Sequence, residues 1–112
     1  MSEDAVRLEA GNARPEVFAP RGALPPGSAP YRTIGPFDAA GLPQGLRSEH
    51  RLKQGAWAML RLAAGSLRFV WDDAEGGREE LTAPATLVVP PQVPHHVEGE
   101  GPFELTIAFH QR

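Results

Sequence analysis

An all-β fold in a single domain is what this sequence predicts. Apolar residues recur with a period of two in several short runs. Glycine and proline interrupt the chain between those runs, and no segment sustains the 3.6-residue stripe of an amphipathic helix. A chain of 112 residues suits one domain and buries about 65% of its unfolded surface, enough for one core.

The first 45 residues carry seven of the 12 prolines and six of the 12 glycines. A long helix is excluded there, because proline lacks the amide donor and clashes with the preceding turn. Residues 1–30 read as an extended Pro/Gly-rich arm, laid on the domain or on a second subunit, or else as a frayed terminus. Residues 31–112 read as the folded domain.

Within that domain, "AWAMLRL" (56–62) is a strand with two largely apolar faces. "SLRFVW" (66–71) alternates Leu67, Phe69 and Trp71 against Ser66, Arg68 and Val70, the pattern of a half-buried strand. "AAG" (63–65) between them reads as a short turn, and "DDAEGGREE" (72–80) as a polar hairpin loop. "TLVVP" (86–90) is a further strand stopped by proline. In "FELTIAFH" (103–110), Phe103, Leu105, Ile107 and Phe109 form one face.

Composition removes several functions. The net charge of −3 is spread along the chain without a Lys/Arg cluster, so nucleic acid and anionic membranes are poor partners. There is no cysteine, hence no disulfide, thiolate metal site or cysteine nucleophile. No secretory leader pattern and no apolar run of membrane-spanning length is visible, so a cytoplasmic location is expected. Ser48 lacks the elbow and paired acid of a hydrolase triad. Glu79 and Glu80 read as a solvated face.

The chemistry-bearing residues are His50, His95, His96 and His110. In extended "HHVE" (95–98), His95 shares a face with Val97 and His96 shares one with Glu98. His95 therefore points inward and His96 outward. The same parity sends His110 to the solvent side, opposite Ile107 and Phe109. Pro90, Pro91 and Pro94 restrict the backbone before His95, which lowers the entropy lost in orienting it. The same prolines would also serve simply to end a strand and protect a sheet edge. His50 and Glu49 sit in a loop where solvated side chains are the ordinary case.

Taken together these residues resemble a cupin. "PPQVPH" places Pro90 and His95 at the spacing of the second cupin block, with Gln92 where the block has glycine. His50 stands near the histidine position of the first block, and Gly65 suits its closing glycine. "H-x-x-K-x-G-x-W" (His50, Lys53, Gly55, Trp57), "G-x-L-R-F-x-W" (Gly65 to Trp71) and "PPQVPHHVE" are similar to the small TehB/YeaR-like, tellurite-resistance-related proteins. This resemblance covers about Tyr31 to Phe109. It implies a small cupin-type β-barrel (jelly roll) with an open mouth into which His50 and His95 point. In some relatives such a domain precedes a methyltransferase, whose glycine-rich loop is missing here.

The sequence departs from a metal-binding cupin in offering one histidine and no glutamate in the first block. Two histidines fall short of the usual three protein ligands of a catalytic metal. A third would have to come from Glu49, His96, Glu98 or His110. Three readings follow. A divalent ion (Zn, Fe, Ni or Mn) is held by His50 and His95 and acts on a small molecule. Alternatively, a metal-free pocket walled by Trp57, Phe69 and Trp71 binds a small ligand. In the third, the arm and the apolar strands build a homodimer. The sequence leaves open whether the protein is an enzyme.

Overall fold

The computed structural model describes residues 16–112. Seven strands and one helical turn make up its regular structure. They are β1 (Glu16–Phe18), β2 (Ala29–Phe37), α1 (Gln44–Arg47), β3 (Ala56–Trp71), β4 (Arg78–Thr82), β5 (Ala85–Val89), β6 (His95–Glu98) and β7 (Phe103–Gln111). The strands form one mixed sheet in the order β1-β5-β3-β7-β2, with β4 and β6 also paired to β3. Among the described residues, only the β1–β5 pairing is parallel.

The long strand β3 organises the sheet. Its first half lies between β5 and β7, and its second half between β4 and β6. Ala56, Ala58, Leu60 and Leu62 are buried in the first half; Leu67, Phe69 and Trp71 are buried in the second. The buried positions thus change from even to odd numbers. Two halves of a regular strand would then face opposite ways, because side chains alternate. A bulge between Leu62 and Ala64 supplies the extra residue that restores a common inner face.

Gly65 completes the bend. Its φ is +77°, and an added Cβ would sit 1.9 Å from the carbonyl oxygen of Pro102. Only glycine accepts both the positive φ and that contact. The expected turn at residues 63–65 is therefore a kink inside a continuous strand. The chain bends and changes partners there, but does not reverse. Likewise, only residues 72–77 of the expected hairpin loop are loop. Glu79 and Glu80 belong to β4, where Glu80 pairs with Arg68 across the strands.

The core gathers Leu60, Leu62, Leu67 and Phe69 of β3, Leu87 and Val89 of β5, Val97 of β6, and Leu105 and Ile107 of β7. The sheet is not closed: β1 and β2 are its ends. Strand β1 and the segment through Ser28 fall within the predicted arm, whose residues 1–15 lie outside the described part.

One orientation differs from expectation. His110 does lie on the opposite face from Ile107, as parity demands, but that face is buried too. Thr86, Val88 and Ala108 share it, and His110 is 8% exposed. Strand parity reports which side a residue takes; it does not report whether water reaches that side. Among the described residues, no helix is long and apolar enough to cross a membrane.

Candidate functional site

His95 opens β6, and its register partner on β3 is Trp71. The preceding turn is fixed at several points. The Gln92 amide donates to the Leu52 carbonyl at 2.9 Å, and the Asp72 amide donates to the Pro94 carbonyl at 2.8 Å. Gln92 has φ +66°. It adopts the left-handed conformation that the glycine of the resembled motif would take without steric cost.

The second histidine arrives on the loop after α1. His50 and His95 exchange backbone hydrogen bonds of 2.9 and 2.8 Å, forming an isolated antiparallel bridge between segments far apart in the chain. Their rings meet edge to face, with centroids 4.3 Å apart. Arg47 anchors the approach by donating to the carbonyls of Ala39 and Gly99.

The hydrogen bonds also determine which nitrogen is available. His50 Nδ1 lies 2.9 Å from the Ser48 carbonyl oxygen, and His95 Nδ1 lies 2.7 Å from that of Val93. A carbonyl oxygen only accepts, so each Nδ1 carries the hydrogen. In the neutral rings each Nε2 is then left with its lone pair. His95 is 3% exposed and stacks on Phe69 with centroids 5.0 Å apart. Burial pushes it down to about 4, partly offset by its bond to Val93, so His95 is neutral near pH 7.

Both rings line a cavity of about 80 Å³. Its other walls are apolar and include Leu46, Leu52, Leu60, Phe69, Val97 and Ile107. The volume corresponds to roughly three water molecules at their liquid share. Neutral imidazoles lining a small apolar chamber are able to accept hydrogen bonds from a ligand through an unprotonated nitrogen.

Of the three expected aromatic walls, Phe69 lines this cavity. Trp57 projects from the opposite face of β3, because it alternates with Ala56 and Ala58. Trp71 stands one layer back, its centroid 4.7 Å from that of Phe69 and 6.4 Å from that of His95. Its Nε1 donates to Glu79 at 3.1 Å, and the Arg21 guanidinium covers its ring at 4.6 Å. Trp71 is thus a support for Phe69 and His95. Leu46 and Leu52 went unnoticed in the sequence, where a lone leucine in a polar loop carries no periodicity.

The four candidates for a third metal ligand are all elsewhere. Glu49 is exposed, 4.0 Å from Arg51. His96 points outward and donates to Asp72 at 2.6 Å and to Glu98 at 2.8 Å. These bonds, Asp72 first, raise its pKa. His110 lies across the sheet. Among the described residues, no group of three or more His, Cys, Asp or Glu is placed to hold a metal. His50 and His95 are thus the only two of the expected ligands brought together among the described residues.

Comparison with known proteins gives this site a context. The family model described as "TehB-like domain" matches residues 32–107. The fold is similar to the crystal structure of TehB from Haemophilus influenzae, with a TM-score of 0.70 and 26% identity over 76% of this chain. The match spans 32% of that TehB chain, so this sequence corresponds to about a third of it. A crystal structure of a protein from E. coli strain K12 also has a TM-score of 0.70, with 18% identity over 79% of this chain and 94% of that one. At that identity the likeness concerns the fold alone. No curated protein matches the sequence.

Proposed function

The chain belongs to the TehB-like domain family, and from that premise we propose that it is a small-ligand-binding module whose pocket is the His50–His95 cavity. The tellurite-resistance label of the family names a cellular setting and no chemistry. One observation carries the reading. Both Nδ1 atoms are tied to backbone carbonyls, which leaves two Nε2 lone pairs beside an otherwise apolar cavity. A ligand hydroxyl or amino group meets an acceptor already oriented, while its carbon part meets Phe69, Leu60 and Val97. Such a combination of apolar wall and few polar anchors is usual for small-molecule pockets. The cupin relationship is part of this reading, supported by the spacing of Pro90 and His95 and by the requirement for glycine at position 65.

A second reading rests on the same hydrogen bonds. An imidazole whose far nitrogen is held by a carbonyl is the ordinary outer support of a metal-bound histidine. A divalent ion such as zinc, iron, nickel or manganese would be held by His50 and His95, with water or ligand filling its remaining positions. Bound there, it would polarise a small ligand. With two protein donors the affinity would be modest.

Ligand-observed NMR against a panel of small metabolites, with and without chelator, tests the proposal. Binding that survives chelation and is lost in His95→Asn supports the metal-free module. Binding abolished by chelator transfers support to the metal reading. If no panel member binds under either condition, the module reading fails.

A further inference from the structure

Beside the histidine cavity lies a second depression of about 320 Å³, which shares two of its walls, Leu52 and Phe109. Its rim carries Tyr31, Arg32, Arg51 and Lys53. Three cationic side chains thus border one opening, and among the described residues no carboxylate lines it. This is unexpected in a chain of net charge −3. The cations come from separate places. Arg32 is on β2, whereas Arg51 and Lys53 follow His50 directly on the loop that delivers it to the cavity. Lys53 Nζ stands 5.7 Å from the Tyr31 ring centre, and that ring lies against Phe109 with centroids 6.4 Å apart. Glu49 is 4.0 Å from Arg51, but both side chains are more than half exposed. Such a pair is weak and is easily exchanged for another anion.

We propose that the basic depression is the anion-binding half of the histidine site, and that the ligand class is a small hydroxycarboxylate. This inference rests on the ligand-binding reading above and deepens it. The two halves make complementary demands. The inner cavity has room for about three heavy atoms, is apolar, and offers lone pairs that call for a hydrogen-bond donor, which a neutral hydroxyl supplies without bringing positive charge toward the cationic rim. The outer depression is wider, open and cationic, and requires negative charge. A molecule meeting both demands carries a short hydroxyl-bearing carbon body and one carboxylate. Its hydroxyl donates to Nε2 of His95 or His50, its carbon atoms contact Phe109 and Leu52, and its carboxylate lies among Arg32, Arg51 and Lys53. No covalent step is involved. Because the cations are exposed, the attraction is screened and the affinity falls as salt rises.

The test is an NMR titration of the full chain with lactate, with propane-1,2-diol as the neutral probe of similar size, and with inorganic phosphate as an anion without a carbon body. Lactate is expected to shift the ring signals of His50 and His95 together with the backbone signals of residues 51–53. The double variant Arg32→Gln/Lys53→Gln, altered only at exposed side chains, should bind lactate about tenfold more weakly. Raising the sodium chloride concentration should weaken binding to the wild type and affect the double variant less. If propane-1,2-diol shifts the histidine rings at the same concentration as lactate, and the double variant binds lactate normally, the anionic half is refuted while the histidine pocket stands. If phosphate matches lactate, charge alone is recognised and the hydroxycarboxylate class is refuted. If none of the three probes shifts the histidine rings, the inference fails together with the pocket on which it rests.

Discussion

Acid should destabilise this protein through His95 in particular, by an amount that the structure sets. The ring is buried against Phe69, and its pKa falls from 6.5 to about 4 on folding. Between those values the unfolded chain binds a proton that the folded chain refuses. Stability from this group is therefore complete above pH 6.5 and is lost as pH falls toward 4. At about 1.4 kcal/mol per pH unit, the full loss is roughly 3 kcal/mol, of which about 2 kcal/mol has gone by pH 5. His96 acts with the opposite sign. Asp72 and Glu98 raise its folded value, so its contribution is present in acid and fades as pH climbs through that raised value. Comparison with His95→Asn separates the two. Asparagine keeps an N–H for the Val93 carbonyl but does not titrate. The variant starts about 2 kcal/mol less stable at pH 7.5, because it leaves a void beside Phe69. Urea unfolding at pH 7.5 and pH 5 should show that deficit shrinking to near zero at the lower pH. A deficit constant to within about 0.5 kcal/mol, the normal additivity error, would show that His95 titrates as an ordinary histidine and would refute the burial argument.

Three further substitutions probe the frame around the site. Gly65→Ala places a methyl 1.9 Å from the Pro102 carbonyl oxygen at positive φ, and should cost more than about 3 kcal/mol in urea unfolding; near-normal stability would refute the close approach of Pro102 to the β3 kink. Gln92→Gly relieves a left-handed residue at φ +66°, and the gain of about 1–2 kcal/mol is offset by roughly 0.5–1 kcal/mol of unfolded-state entropy. Its thermal midpoint should equal or exceed that of the wild type, and a clear drop would refute a left-handed conformation at position 92. His110→Phe removes two buried ring nitrogens that have no hydrogen-bond partner among the described residues. It should stabilise the fold by about 1 kcal/mol, and a loss of similar size would reveal a partner for that ring.

Much of this could be read from the residues, and the misreadings have physical causes. The alternation in "SLRFVW" and "FELTIAFH" locates β7 and the second half of β3, because period two in a half-buried strand is a local signal. Parity within "HHVE" places His95 inside and His96 outside, as found. The continuity of β3 was hidden because Gly65 allows a turn and a kink equally well. Only the close approach of Pro102, a contact between distant segments, distinguishes them. His110 was misjudged for a related reason: coverage of the second face depends on tertiary packing that alternation cannot report. The one-turn helix α1, which carries Leu46 to the cavity wall, is too short for any periodic signature. The cupin resemblance implies that His50 and His95 point into one mouth, but the reciprocal bridge between the two histidines follows only from the fold. Trp57 carried the right chemistry for a pocket wall yet emerges on the other side of the strand.

Ligand binding in the cavity requires a free lone pair on Nε2. Long-range nitrogen–proton NMR of the imidazoles reports this directly, because the protonated and lone-pair nitrogens of a neutral ring resonate far apart. At pH 7.5, His50 and His95 should both show the Nδ1–H tautomer, and titration with lactate or zinc should move their Nε2 signals. A proton on Nε2 of His95, or Nε2 signals unmoved by either addition, would contradict such binding.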